Sequence, residues 1–188
     1  MVLSVRDLVT ILHGMGFGVL FMLAFSGAIG LIYASAAGID SSPTSARHNQ
    51  MFRFYLISMA VLSWLAVLSG TYIIYPWYRA VPPAGTTDLS LYPQRLLLSN
   101  PTTVGWHEVG MEWKEHVSWF APIAITMVAY VFLQHGPQLA RHRHLRTAVM
   151  GFIAAAFLAT LVSGFFGAML NTHAPIGGGP AIVLMGPR

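Results

Sequence analysis

The chain has 188 residues, 55% of them hydrophobic and only 9% charged, with ten Lys+Arg against six Asp+Glu. Soluble domains carry roughly 25% charged residues, so this composition excludes an ordinary water-soluble enzyme and a disordered chain alike. A net charge of +4 scattered along the sequence makes no case for nucleic acid. The absence of cysteine excludes disulfides, iron–sulfur clusters, thiolate-held zinc and covalently attached haem, leaving His, Glu, Asp and Met to hold any metal.

A helix needs about 20 apolar residues to cross a bilayer. Four stretches without Asp, Glu, Lys or Arg qualify: 8–37, 54–77, 117–133 and 148–170. They predict an all-α fold: an integral membrane four-helix bundle forming a single transmembrane domain over residues 1–188. The first stretch is about 30 residues long, against the roughly 7–15 apolar residues of a signal peptide, and is read as a retained helix. It holds His13 within the run His13-Gly14-Met15-Gly16-Phe17-Gly18. Each glycine in a helix interior costs up to about 1 kcal/mol relative to Ala, so the run calls for a reason: close helix packing, or room for a flat macrocycle.

The turn at Asp40-Ser41-Ser42-Pro43 separates the first stretch from the second, which ends in the aromatic residues Tyr72, Tyr75, Trp77 and Tyr78. A long connection, 78–111, then carries the apolar segments at Leu89–Pro93 and Leu96–Leu98. It leads into His107-Glu108-Val-Gly-Met-Glu112-Trp-Lys-Glu115-His116, where Glu108, Glu112 and His116 share one face if the segment is helical. The default reading of that face is a solvated helix start, with Lys114 balancing the carboxylates. The fourth stretch offers Gly164 and Gly167 near its end, and a Gly- and Pro-rich tail follows from Ala174.

Topology follows from the basic residues. The short connections 38–53 and 134–147 hold Arg47, Arg53, Arg141, Arg143 and Arg146 against Asp40 alone. Basic residues in short loops mark the cytoplasmic side, which puts both termini and the 78–111 connection on the extracytoplasmic side, in a bacterial inner membrane. His13, His107, His116 and His173 then fall at the extracytoplasmic end of the bundle. Intramembrane ionisable residues are functional hypotheses by default.

The layout resembles the membrane-embedded b-type cytochrome subunits: a small helical bundle, histidines on different helices at matching depth, and glycines beside them. That resemblance implies haem b held by His13 and His116 beside Gly14, Gly16, Gly164 and Gly167, with His107 and His173 as a second pair. It also implies a membrane electron-transfer subunit passing electrons between quinone and other membrane or periplasmic redox subunits. Familiar two-haem bundles place two histidines within one helix at about half the bilayer's thickness. Here His116 and His135 stand nineteen residues apart, about 28 Å along a helix.

Two other readings draw on the same residues. In one, the histidines only form hydrogen bonds and the chain is a cofactor-free structural or assembly subunit of a membrane complex. In the other, His13, Glu112 and His116 hold non-haem iron or copper in a membrane metalloenzyme, since imidazole and carboxylate suit such metals. The pairing Glu-x-x-His used by bundle di-iron proteins is absent from the sequence.

Overall fold

The structure, a computed structural model, describes residues 2–36, 45–139 and 141–183. The turn expected at Asp40–Pro43 lies outside the described residues. A strand β1 (Val2–Ser4) leads into a long helix α1 over 5–36, and α2 occupies 45–78. A short helix α3 (Pro93–Leu98) sits in the connection. The long helices α4 (106–139) and α5 (Arg143–His173) follow, and a strand β2 (Ala181–Val183) comes last. Four of these helices are long and apolar enough to span a membrane.

The bundle core repeats at helical spacing. Phe21, Phe25 and Ala28 on α1 meet Phe52, Leu56 and Met59 on α2, Ile125, Val128 and Phe132 on α4, and Val149, Ile153 and Ala156 on α5. Residues at i, i+4 and i+7 line one stripe of a helix, so each helix commits one stripe inward and leaves the rest for lipid. Edge-to-face rings lock the contacts, Phe52 on Phe132 at 4.2 Å and Phe25 on Phe157 at 5.2 Å. Such pairs contribute about 0.5–1.5 kcal/mol beyond burial. Polar cross-links join the helices: Tyr55 donates to the Ala24 carbonyl, Trp64 Nε1 to Thr126 Oγ1 at 3.0 Å, and the Ser118 and Ser163 hydroxyls meet at 2.7 Å. Gly27 makes room for the first of these, because a Cβ there would overlap the Tyr55 hydroxyl.

One end of the bundle carries a cap. β1 pairs antiparallel with β2, Leu3 opposite Ile182, and the Val5 N–H donates to the Pro180 carbonyl at 2.9 Å. Gly178 and Gly179 turn the chain into β2 with φ of 84° and 93°, a region closed to most residues with a Cβ. Ser4 caps α1, its hydroxyl accepting from the Asp7 N–H at 3.1 Å while Asp7 accepts from the Ser4 N–H at 2.8 Å. Arg6 lies over the Trp77 ring at 5.4 Å and donates to the Gly177 carbonyl. Beneath the cap a second apolar cluster joins Tyr78, Leu97, Met111, Leu170 and Ala174.

The two largest departures from the expected boundaries share a reason. α4 starts at Trp106 rather than Val117, and α2 at Ser45 rather than Phe54. Apolarity marks the part of a helix that needs lipid, and the polar lead-ins continue the same helices beyond it. The two strands were not expected.

Candidate functional site at the capped end

The helices depart from α geometry at this end. Leu12–Val19 in α1, Gly70–Ile74 in α2, and Trp106–Met111 and Trp113–Val117 in α4 wind as π-helix. Such segments are rare and recur at functional sites. Glycines occupy three of the four: Gly14, Gly16 and Gly18 in the first, Gly70 in the second, Gly110 in the third. Gly110 also allows close approach to α5, where a Cβ would stand 3.0 Å from the Phe166 ring. His13, His107 and His116 all lie on these segments.

His13 is half-buried and faces α2. Ser69 donates its hydroxyl to the Ala66 carbonyl, so its oxygen accepts from His13 Nδ1–H at 2.9 Å. The ring covers Gly70, where a Cβ would lie 2.9 Å from His13 Cε1. His116 contacts its own helix. Its side chain is 70% exposed, its Nδ1 donates to the Glu112 carbonyl at 3.0 Å, and the Glu112 carboxylate, equally exposed, lies 3.4 Å off. The structure therefore brings His116 to Glu112, one turn back on its own helix, and no hydrogen bond or ring contact among the described residues joins it to His13.

His107 bridges two elements. Its Nδ1 is 2.6 Å from the Tyr78 hydroxyl and its Nε2 is 3.4 Å from the Gln94 amide nitrogen. His173 is exposed and stacks on Trp106 at 5.8 Å and 18°. No hydrogen bond or ring contact among the described residues joins His107 to His173. The glycines divide as well. Gly14 and Gly164 adjoin open space, the position facing Gly16 is taken by Leu12 of its own helix, and Lys114 Nζ lies 3.1 Å from where a Gly167 Cβ would be.

A bis-imidazole haem needs two rings aimed at one iron from opposite sides. Among the described residues each of these rings has a different protein neighbour, and no hydrogen bond or ring contact joins the rings of either expected pair. For the non-haem alternative, Glu112 and His116 do touch, on the outside of α4, while His13 lies against α2. No group of three or more His, Asp or Glu is placed to hold a metal ion among the described residues.

What the capped end does assemble is a polar seam between α2 and α4. Tyr75 donates to Glu115 Oε1 at 2.8 Å, and Arg79 reaches the same oxygen at 3.5 Å while lying over the Tyr75 ring at 5.1 Å. Partial burial works against the Arg79 charge, and the Tyr75 and Glu115 oxygens outweigh it, raising the guanidinium above its ordinary value. Tyr75, Tyr78 and Gln94 thus have polar roles that an aromatic-belt reading of the sequence misses. Gly70 signals only the His13 contact, since a Cβ there would stand 2.9 Å from that ring. Lys114 also departs from expectation: among the described residues no ion pair or hydrogen bond of its side chain is found, and its Nζ lies beside Gly167 of α5.

No protein-family model, curated protein or solved structure matches the chain.

Proposed function

We propose that the chain is a structural subunit of a membrane complex, with its capped end serving as the rigid face on which larger membrane or periplasmic subunits assemble. The observation that supports this reading is the separate engagement of the histidines. Each of the four at the capped end is tied to a different protein neighbour: His13 to Ser69, His107 to Tyr78 and Gln94, His116 to Glu112, and His173 to Trp106. The orientation in this reading follows the basic short loops, which places the cap and both termini outside a bacterial inner membrane.

A second reading, electron transfer through haem b to quinone or a redox partner, keeps one observation on its side. Ser69 holds Nδ1 of His13 as outer partners hold ligating imidazoles, leaving Nε2 over. Against it stands the engagement of His116 with Glu112.

Native mass spectrometry of the chain extracted from its own membranes in mild detergent tests the proposal. The subunit reading expects a defined assembly well above the 20.5 kDa of the chain, which loses its integrity when the chain is deleted. A chain that runs alone, and whose deletion leaves every membrane complex intact, would overturn it.

A further inference from the structure

Lys114 is the sole lysine of the sequence, and among the described residues no carboxylate pairs with it. Glu112 pairs with His116 on the outside of α4, and Glu115 is bound by Tyr75 and Arg79. The Lys114 side chain turns away from these carboxylates, across Gly167 of α5 and within electrostatic reach of His13 on α1. Three residues before His13, and so on the same face of α1, the Thr10 hydroxyl is buried without a partner. An ammonium at membrane depth is normally paired or else marks a ligand.

The α1 and α5 surfaces beside this end are bare. Gly164, on α5, and Gly14, on α1, both adjoin open space. Further in, Met22, Leu23, Phe25, Ser26 and Ile29 of α1 and Phe157 of α5 line an open apolar groove of about 290 Å³. Phe157 lies ten residues from Gly167, about 15 Å along the helix, and Met22 lies nine residues from His13, roughly 13 Å. Both helices independently place an apolar groove at a similar distance below a polar, positively charged end.

We propose that this polar end and groove bind one anionic phospholipid between α1 and α5, its phosphate on Lys114 and an acyl chain in the groove. Charge decides the occupant. A phosphate oxygen neutralises the ammonium and accepts its hydrogen bonds, whereas the neutral carbonyl of a quinone leaves the charge uncompensated. The site does not depend on the subunit reading above.

The full chain, purified in mild detergent and delipidated, is titrated with phosphatidylglycerol, phosphatidylcholine, inorganic phosphate and a short-chain ubiquinone, and bound ligand is read by native mass spectrometry. One phosphatidylglycerol is expected to bind at least about tenfold tighter than phosphatidylcholine, in line with a charge-assisted hydrogen bond. Lys114→Met should erase that preference and Lys114→Arg retain it. Ser26→Trp, which fills the groove at a distance from the charge, should weaken both lipids. Phosphatidylglycerol binding unchanged in Lys114→Met overturns the proposal. So does displacement of the lipid by equimolar inorganic phosphate, or preferential binding of the quinone. Should Lys114→Met not fold, unaltered lipid binding by Ser26→Trp overturns it equally.

Discussion

Tyr78→Phe isolates one polar link at the capped end. Tyr78 is 4% exposed, and its hydroxyl lies 2.6 Å from His107 Nδ1. The Gln94 amide nitrogen faces Nε2 of the same ring, so Gln94 donates to Nε2, and Nδ1 carries the proton that Tyr78 oxygen accepts. The substitution keeps the aromatic ring in its apolar cluster and removes only the acceptor. A partly buried N–H is then left without a partner, at a cost of about 1–3 kcal/mol. Replacing His107 by Leu as well removes the orphaned donor, so the double variant should lose less than the sum of the single losses, with a coupling of about 0.5–3 kcal/mol. Unfolding in mixed detergent micelles, followed by far-ultraviolet circular dichroism, measures all four corners of the cycle. A Tyr78→Phe loss below about 0.3 kcal/mol, or strict additivity, would refute the claim that His107 is held by this bond.

Three further outcomes follow from the same geometry. Gly70→Ala puts a Cβ 2.9 Å from His13 Cε1 and should push the ring off Ser69 at a cost of about 1–3 kcal/mol; an unchanged His13 Nδ1 resonance in histidine-labelled protein would contradict it. Ser4→Ala removes the α1 cap and should cost about 1 kcal/mol, seen as faster amide exchange across Val5–Asp7 and the β1–β2 pairing; unaltered exchange there would remove the cap from the account. Arg79→Ala should change stability by no more than about 1 kcal/mol, because Arg79 and Glu115 are 46% and 26% exposed, and a larger loss in the same micelle titration would show that the pair is screened from water.

The membrane helices are legible in the sequence because a run of about 20 apolar residues has few other uses in a chain this poor in charge. Their polar extensions are not, since hydropathy reports the lipid-facing length and is silent on where the hydrogen-bonded ladder starts. The histidines were legible in the sequence as a set, and the π turns hide from it the neighbour each ring takes. Sequence spacing places His13 and His116 at similar depth on two helices. An added residue per turn shifts the phase of everything after it, so the directions of the rings depend on windings that no apolar periodicity reveals. The Glu112–His116 contact keeps the i, i+4 spacing that the sequence offers, whereas the approach of Lys114 to Gly167 of α5 leaves no sequence signal. The β1–β2 pairing joins the ends of the described chain and leaves no local pattern beyond Gly177-Gly178-Gly179-Pro180, whose two positive-φ glycines make the turn.

The sharpest test of the account is the reduced-minus-oxidised visible spectrum of the full chain, purified from haem-replete cells. With its histidines tied to separate neighbours, the chain is expected to show no b-type α-band. A stoichiometric band, lost in both His13→Ala and His116→Ala, would contradict the account and restore the paired-imidazole reading.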